Sequence, residues 1–430
     1  MTLLVLFGVL LVAVAVGLPI LLAIGLVGLT GMAVAPGVNV ALFAQRIFAM
    51  LDSFSLLALP YFILAGSIMS KGGLARGLVN FAQALVGHVR GSLGHTSVIS
   101  CMGMANVSGS STAEAAAIGS ILIPSMRERG YRPGLAASIV GTAATIGPII
   151  PPSMTMIVYG AMTGVSIGGL FIAGIIPGIL LGLMMMATIR LLAMLPRYPE
   201  LQARGPRASL RQILRATAGA WVALLAPVII LGGIFSGVFT ATEAGIVACI
   251  YALITSLVVY REIGLRDLYR IVLDAAVTTG TVAGIIGMAG ALGWLLAYLD
   301  FNQFVLAGLR GLTTDALVAL LLLLAVYILL TMFLESLAVL IVFVPIAAEV
   351  GRAFGYDPLH LGILLVVAAQ LGATTPPVAV LLFVTTSIAG GRFIETVREC
   401  VPFVLTLVLF LALLVLFPPL ATWLPTQLGR

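Results

Sequence analysis

The stretch Leu371 to Val380 reads LGATTPPVAV and lies between two apolar runs, LGILLVVAAQ before it and LLFVTTSIAG after it. The flanking runs predict a membrane helix, but two adjacent prolines remove two backbone donors and interrupt it. Hydrocarbon contains no water to satisfy the main-chain groups that the interruption frees. The stretch therefore predicts a transmembrane helix that is broken inside the bilayer.

The composition of the whole chain also places it in a membrane. Of its 430 residues, 61% are hydrophobic and 8% are charged, whereas about a quarter of the residues in a soluble domain are charged. The 48 Gly and 21 Pro residues are typical of membrane helices that pack closely and are sometimes broken. We predict an all-α polytopic membrane protein in a lipid bilayer.

The net charge of +6 comes from basic residues that are clustered rather than spread evenly. Such clusters favour positive-inside topology, and they lack the interleaved aromatic residues of a nucleic-acid surface. The three cysteines are scattered in apolar segments and predict no disulfide framework. The basic clusters are Lys71–Arg90, Arg127–Arg132, Arg190–Arg215 and Arg261–Arg270.

A second stretch, IGPIIPPSMT at Ile146 to Thr155, resembles the opening one and predicts an internal duplication. We expect an offset of 221 residues before an insertion near Arg352 and of 225 after it. The matched pairs are Glu114 with Glu335, Pro124 with Pro345, Tyr131 with Tyr356, Gly147 with Gly372, and Pro151–Pro152 with Pro376–Pro377.

The basic clusters predict how the two repeats are oriented. Clusters lie on both sides of the apolar segment 97–123, so a single crossing would place one of them outside. A re-entrant hairpin with its tip in ANVSGSSTAEAA, Ala105 to Ala116, keeps both inside. The corresponding hairpin around Leu329 to Val339 then opens to the outside. Inverted repeats of this kind are typical of secondary transporters, whose sites lie where broken helices meet.

The predicted organisation has two inverted repeats and an Arg-rich cytoplasmic linker. We expect the apolar N-terminus to be retained, with residues 2–34 forming either one tilted segment or two. The predicted ranges are 1–189 for the first repeat (hairpin about 92–126, broken helix about 136–160), 190–216 for the linker, and 217–430 for the second repeat (hairpin about 316–349, broken helix about 359–389).

The first hairpin tip is rich in side-chain oxygens. A re-entrant tip also exposes carbonyls, and together these oxygens suit a desolvated Na⁺. Ser111 and Glu114 have the spacing of a capping box, so they could instead only start a helix. A nucleophilic serine is a third, less favoured interpretation. The polar residues of the tip are Asn106, Ser108, Ser110, Ser111 and Thr112.

Each helix break should expose carbonyls on one side and N–H groups on the other. The carbonyls favour a cation, and the helix N-terminus favours an anion. Thr374 and Thr375 add oxygens in the second copy, where the first copy has Ile149 and Ile150. The alternative is a simple proline kink in each helix.

Acidic residues within the apolar segments are functional candidates. Glu243 forms a capping-box pattern with Thr240, which indicates a structural role. For Glu114 and Glu335, expected one helical turn past the tips, we favour supporting or capping roles. No Arg or Lys is expected in the middle of a span, so helix N-termini, hydroxyls and nearby Na⁺ would have to hold an anionic substrate.

Five stretches together resemble the large membrane subunit of TRAP (tripartite ATP-independent periplasmic) transporters. The resemblance covers nearly the whole chain in order. It implies an elevator-type fold of the ion transporter superfamily kind, a bacterial inner-membrane location, a small membrane subunit and a periplasmic substrate-binding protein. It also implies uptake of a small organic acid, driven by two or more Na⁺ and without an organic cofactor. The stretches are LDSFSLLALPYFILAG, NVSGSSTAEAAAIGSILIPSM, GTAATIGPIIPPSMTMIVYG, GVFTATEAGIVACIYAL and LGATTPPVAVLLF.

The same resemblance implies two sodium sites, each joining a hairpin tip to a helix break. The first would contain Ser108, Ser110, Ser111, Gly147, Ile150 and Pro152. The second would contain Thr331, Met332, Gly372, Thr374 and Thr375. Supporting or substrate-binding roles would fall to Asn106, Glu114, Glu335, Pro151, Pro376 and Pro377.

Two other functions stay open on the sequence. One is a standalone Na⁺/carboxylate symporter of similar architecture, and the less favoured one is an intramembrane hydrolase. The identity of the organic acid is not encoded in a recognisable pattern.

Overall fold

A computed structural model describes residues 2–34, 38–71 and 73–429, and within these ranges the chain forms helices and no strand. The helices are α1 (Thr2–Ala15), α2 (Ile20–Val34), α3 (Val40–Leu51), α4 (Ala58–Lys71), α5 (Leu74–Val86), α6 (Ser92–Ser108), α7 (Ser111–Glu128), α8 (Pro133–Ala143), α9 (Met154–Thr163), α10 (Ile167–Leu192), α11 (Leu210–Phe235), α12 (Ala241–Ile254), α13 (Leu265–Tyr298), α14 (Phe301–Leu312), α15 (Ala316–Phe333), α16 (Ser336–Ala353), α17 (Pro358–Thr374), α18 (Val380–Ala389), α19 (Phe393–Leu416) and α20 (Pro419–Gln427). The open question about residues 2–34 is resolved, because they form two helices, α1 and α2.

In the described part of the chain, eight helices are long and apolar enough to cross a membrane by length and composition. The helices that follow the two breaks are much shorter. α9 and α18 have ten residues each, which corresponds to about 15 Å, or half of the hydrocarbon core. Each therefore completes a span only together with the helix that precedes its break.

Both breaks lie at the proline pairs. A short 3₁₀ turn, Ala144–Ile146, extends α8, and α9 begins only at Met154. In the second half α17 ends at Thr374 and α18 begins at Val380. The interrupted helices that the proline pairs predict are therefore present.

Each break is preceded by a hairpin of two packed helices. α6 and α7 are joined by Gly109 and Ser110, and Gly109 adopts a left-handed conformation with φ of 55° that favours glycine. α15 and α16 are joined by Leu334 and Glu335. The turns are short enough to reverse the chain within the predicted hairpin segments.

The offset between the two halves differs from the expected one. α7 and α16 both have 18 residues, and they begin 225 residues apart, at 111 and 336. α8 and α17 also begin 225 residues apart, at 133 and 358. One offset therefore covers hairpin and break, and the insertion expected near Arg352 is wrong.

The corrected offset changes which residues correspond. Glu114 lies in the first turn of α7 and corresponds to Val339, whereas Glu335 is the N-cap of α16 and corresponds to Ser110, the N-cap of α7. The expectation that Glu114 and Glu335 are equivalent is wrong. The error is four residues, about one helical turn, which leaves the compared side chains on the same helix face.

The first segments of the broken helices form the centre of the molecule. Every residue from Gly134 to Ala143 in α8 and from His360 to Thr374 in α17 is buried. α7 and α8 both pack against α18, and α16 packs against α9. The second arm of each hairpin thus contacts the short helix of the other half, so the two halves interlock.

The Arg-rich linker is packed against the helices that it follows. Gly91 N–H donates to the Leu201 carbonyl at 2.7 Å, and Leu201 is fully buried. Arg132, at the start of α8, pairs with Glu200 at 2.7 Å and with Glu399 of α19 at 3.1 Å. These contacts hold the linker to both halves.

The expected capping box at the start of α12 is confirmed. Glu243 Oε2 accepts from Thr240 N–H at 2.8 Å, and Thr240 Oγ1 accepts from Glu243 N–H at 3.3 Å. Glu243 has the structural role that its spacing indicates.

The close packing of α8 on α19 generates a stability prediction. A Cβ at Gly134 would lie 2.9 Å from the backbone carbon of Glu395 and 3.0 Å from Thr396 N, so Gly134→Ala must push the two helices apart. We expect a loss of about 1–3 kcal/mol and a lower midpoint of thermal unfolding in detergent. Gly280→Ala in α13 is the control, because its Cβ meets nothing within 4 Å and Ala favours a helix. Equal midpoints for the two variants would contradict the packing described.

Candidate functional site

The two hairpin tips and the two helix breaks surround a single cavity. Residues at the starts of four helices line it, and the helices are α7, α9, α16 and α18. A helix N-terminus carries a partial positive charge and N–H groups without intrahelical partners. The cavity is therefore suited to an anion although no basic side chain lines it among the described residues.

Two of these four N-termini lack a side-chain cap. Ser110 precedes α7 and Ala379 precedes α18, and neither forms a side-chain capping bond. By contrast, Ser153 accepts from Met156 N–H at 3.4 Å and Glu335 accepts from Ala338 N–H at 2.8 Å. The N–H groups of α7 and α18 are thus available to a bound carboxylate.

The first predicted site contains a buried hydroxyl–carboxyl pair. Ser108 Oγ donates to Glu114 Oε1 at 2.8 Å, and Glu114 is fully buried. Gly147, in the break, lies directly against this carboxyl group, which occupies the space that a Cβ would need. The predicted residues Ser108, Glu114 and Gly147 therefore come together.

The capping box considered for Ser111 and Glu114 does not form. Ser111 is the first residue of α7, its predecessor Ser110 is the N-cap, and the Glu114 carboxyl bonds to Ser108 instead. A capping box requires the serine to be the N-cap and the acid to be three residues later, whereas Glu114 lies four residues after Ser110. This leaves Glu114 without a capping role.

Close backbone packing connects the first tip to the first break. A Cβ at Gly109 would lie 2.7 Å from the Pro152 carbonyl oxygen, so only glycine allows this approach. Pro151 and Pro152 are both buried. The tip thus covers the main chain that the break exposes.

Three other predicted residues of this region have their side chains occupied elsewhere. Ile150 packs against α10, where it fills the space beside Gly178. Asn106 Nδ2 donates to the Met102 carbonyl of its own helix at 3.0 Å. Ser110 Oγ lies 3.1 Å from Thr112 Oγ1. Of these, Ile150 can offer only its main chain to a ligand.

The second predicted site is built mainly from threonines that bond to their own helices. Thr331 Oγ1 donates to the Ile328 carbonyl at 2.9 Å, Thr374 Oγ1 to the Gln370 carbonyl at 3.0 Å, and Thr375 Oγ1 to the Leu371 carbonyl at 2.6 Å. A hydroxyl that donates its proton keeps lone pairs for a cation. These side chains are therefore suitable ligands in the orientations they already have.

The second tip is also joined to its break. Val378 N–H donates to the Met332 carbonyl at 3.3 Å, and Gly372 lies directly against Thr331. Pro376 is half-buried and Pro377 is exposed, so the second proline pair is more open than the first. Tip and break meet in both halves, as the duplication predicts.

Gln370 is a cavity residue that the sequence argument missed. It is 2% exposed, and its Oε1 has no hydrogen-bond partner in the described ranges. It lines the cavity together with Ala373. The available signal was a single amide in the otherwise apolar run LGILLVVAAQ before the break.

A second cavity brings a cation toward the first tip. It has a volume of about 310 Å³ and is lined by Ser108, Ser110 and Lys71. Lys71 is the last residue of α4 and pairs with Asp274 of α13 at 3.4 Å. No basic residue was expected in mid-span, and Lys71 lies at a helix end, where the cavity reaches it.

The geometry around Ser108 does not resemble a hydrolase site. Its described hydrogen-bond partners are Glu114 and Ser110, and no histidine is among them. His95 and His360 lie in other helices, α6 and α17, and His360 Nε2 lies 2.9 Å from the Leu414 carbonyl. The serine therefore lacks the neighbouring base that nucleophilic catalysis requires.

Known proteins of similar sequence are membrane permeases. The chain is 39% identical to the C4-dicarboxylate TRAP transporter large permease protein DctM of Pseudomonas aeruginosa over 386 residues, or 90% of each protein. It is 36% identical to the sialic acid TRAP transporter large permease protein SiaM of Vibrio cholerae, again over 90% of each.

A solved structure with a related fold is the YdaH transporter of Alcanivorax borkumensis. The TM-score is 0.58 at 15% sequence identity, and the match covers 88% of both chains. At this identity the similarity concerns the fold. A family model described as Tripartite ATP-independent periplasmic transporter, DctM component, matches residues 7–420. The chain therefore belongs to the DctM component family of tripartite ATP-independent periplasmic transporters.

Proposed function

We propose that this chain is the large permease subunit of a Na⁺-coupled system that takes up a small organic acid across the bacterial inner membrane. The observation that carries the proposal is the meeting of four helix N-termini around one cavity. Their partial charges and the free N–H groups of α7 and α18 suit a carboxylate. The relatives named for C4-dicarboxylate and sialic acid support a carboxylated substrate.

Sodium is the co-transported substrate in this proposal, and the oxygen atoms beside the cavity suit it. Ser108 and Glu114 lie at the first tip, and one oxygen of the buried Glu114 carboxyl, Oε2, has no partner in the described part of the chain. Thr331, Thr375 and the Met332 carbonyl provide oxygens at the second. Bound Na⁺ would supply the positive charge that an organic acid needs beside Glu335, whose carboxylate already occupies one helix N-terminus.

The packing supports movement of the hairpins and broken helices as one body. α7 and α8 contact α18, and α16 contacts α9 and α17, so neither half can shift alone without breaking these contacts. A second group, α4, α11, α12 and α13, packs together through α4–α12, α4–α13 and α11–α12 contacts. We infer that the first group slides against the second, in the manner of an elevator, to expose the cavity alternately on the two sides.

We also propose two protein partners, a small membrane subunit and a periplasmic substrate-binding protein. The cavity between the tips contains no basic side chain among the described residues, and Lys71 is engaged with Asp274. Helix N-termini alone bind an anion modestly. A separate protein that selects the acid and delivers it would supply the selectivity that this cavity lacks.

Reconstitution tests the proposed function. We expect proteoliposomes that contain the chain and its small subunit to accumulate a radiolabelled C4-dicarboxylate or sialic acid only with an inward Na⁺ gradient and the matching binding protein. An equal K⁺ gradient is the control. Uptake that requires ATP, or full uptake of the free acid without the binding protein, would contradict the proposal and favour another carrier class.

Thr375 tests the second sodium site. Thr375→Val keeps the side-chain shape and removes an oxygen, so we expect the Na⁺ concentration for half-maximal uptake to rise about tenfold, the equivalent of ~1.4 kcal/mol. Thr385→Val in α18 is the matched control, since it loses the same type of bond to a carbonyl four residues earlier. If the Na⁺ dependence of Thr375→Val equals that of the wild type, the stretch is only a kink.

A further inference from the structure

Glu114 is a buried carboxyl group whose surroundings provide one partner and no counter-charge. It is fully buried, its Oε1 accepts from Ser108, and its Oε2 has no hydrogen-bond partner among the described residues. No described lysine, arginine or histidine forms an ion pair with it. Burying a charge without a partner is costly, so such a group indicates a missing cation.

The position of Glu114 connects the hairpin to the break. Its carboxyl group lies against Gly147, where it fills the space of a Cβ. Its partner Ser108 ends α6, one residue before the Gly109 turn that packs on the Pro152 carbonyl. The unpartnered carboxylate oxygen therefore lies among the hydroxyl and the main-chain groups of tip and break.

We propose that Glu114 supplies the negative charge of the first sodium site, an assignment that rests on the proposed function. Its Oε1 holds the hydroxyl proton of Ser108, which turns the lone pairs of that hydroxyl toward the ion. Its Oε2 offers the ion a full charge at short range in a dry environment, where charge interactions are strong. Gly147 leaves the space in which the carboxylate approaches the break.

The two sodium sites are then electrostatically unequal. At the common offset of 225 the residue in the second half is Val339, which carries no charge, and its own acid, Glu335, is exposed and caps α16. The first site contains a buried charge of its own, whereas the second relies on neutral oxygens and, during transport, on the substrate carboxylate. Sodium should therefore bind to the first site without the acid.

Sodium-dependent thermal stability of the purified full chain in detergent tests this inference. A ligand that binds the folded state raises the unfolding midpoint in proportion to its affinity. NaCl is titrated against KCl at constant ionic strength with no organic acid present. We expect a saturable rise for the wild type, and a titration midpoint at least about tenfold higher for Glu114→Gln, which keeps an oxygen for Ser108 and loses the charge.

Two further variants separate charge from shape. Glu114→Asp keeps the charge on a shorter side chain, and its Na⁺ titration midpoint should lie between those of the wild type and Glu114→Gln. Glu128→Gln loses an exposed acid at the other end of the same helix, and its response should equal that of the wild type. In KCl the Glu114→Gln midpoint should be equal to or above that of the wild type, since an uncompensated buried charge has been removed.

The outcomes distinguish this inference from the function on which it rests. An unchanged Na⁺ titration in Glu114→Gln, or an equal loss in Glu114→Asp and Glu114→Gln, contradicts the assignment of the charge while the sodium proposal stands. If the wild type shows no Na⁺ response and its uptake in proteoliposomes ignores Na⁺, both fail.

Discussion

A helix that ends inside a membrane leaves unpaired main-chain groups, and hydrocarbon cannot satisfy them. Two helices of this protein end in this way, at Gly147–Ser153 and at Thr375–Ala379, and each end is covered by a hairpin tip. Gly109 packs on the Pro152 carbonyl, and the Met332 carbonyl accepts from Val378 N–H. The hairpins are thus a structural requirement of the breaks, and the polar groups left between them form the cavity.

The interlocking of the two halves follows from the same requirement. Because α9 and α18 each span only half of the bilayer, their N-termini open at its middle and must face protein or a ligand. They meet the N-termini of α7 and α16 there, and the second hairpin arm of one half packs on the short helix of the other. The inverted orientation of the repeats within a membrane and the boundaries at 189 and 217 stay predictions.

The sequence predicted the breaks and hairpins because strong local signals mark them: proline pairs in apolar runs, and basic clusters on both sides of one segment. It failed where tertiary packing decides. A four-residue error in the offset kept Glu and Pro on the same helix face, so the pairing of Glu114 with Glu335 looked consistent. Ile150 was assigned to a site although α10 takes up its side chain, and the contact at Gly178 that directs it is not visible in sequence. Gln370 was overlooked for lack of a repeated partner.

The central claim is that the cavity between the tips binds a carboxylate through helix N-termini, with sodium beside it. A cryo-electron microscopy structure of the chain with its small subunit, determined in NaCl and a C4-dicarboxylate, tests this directly. The account predicts a carboxylate within hydrogen-bonding distance of the first N–H groups of α7 or α18, and cation density beside Ser108 and Glu114. A dicarboxylate bound only in another cavity, such as the one lined by Tyr159, Glu349 and Arg352, would contradict it.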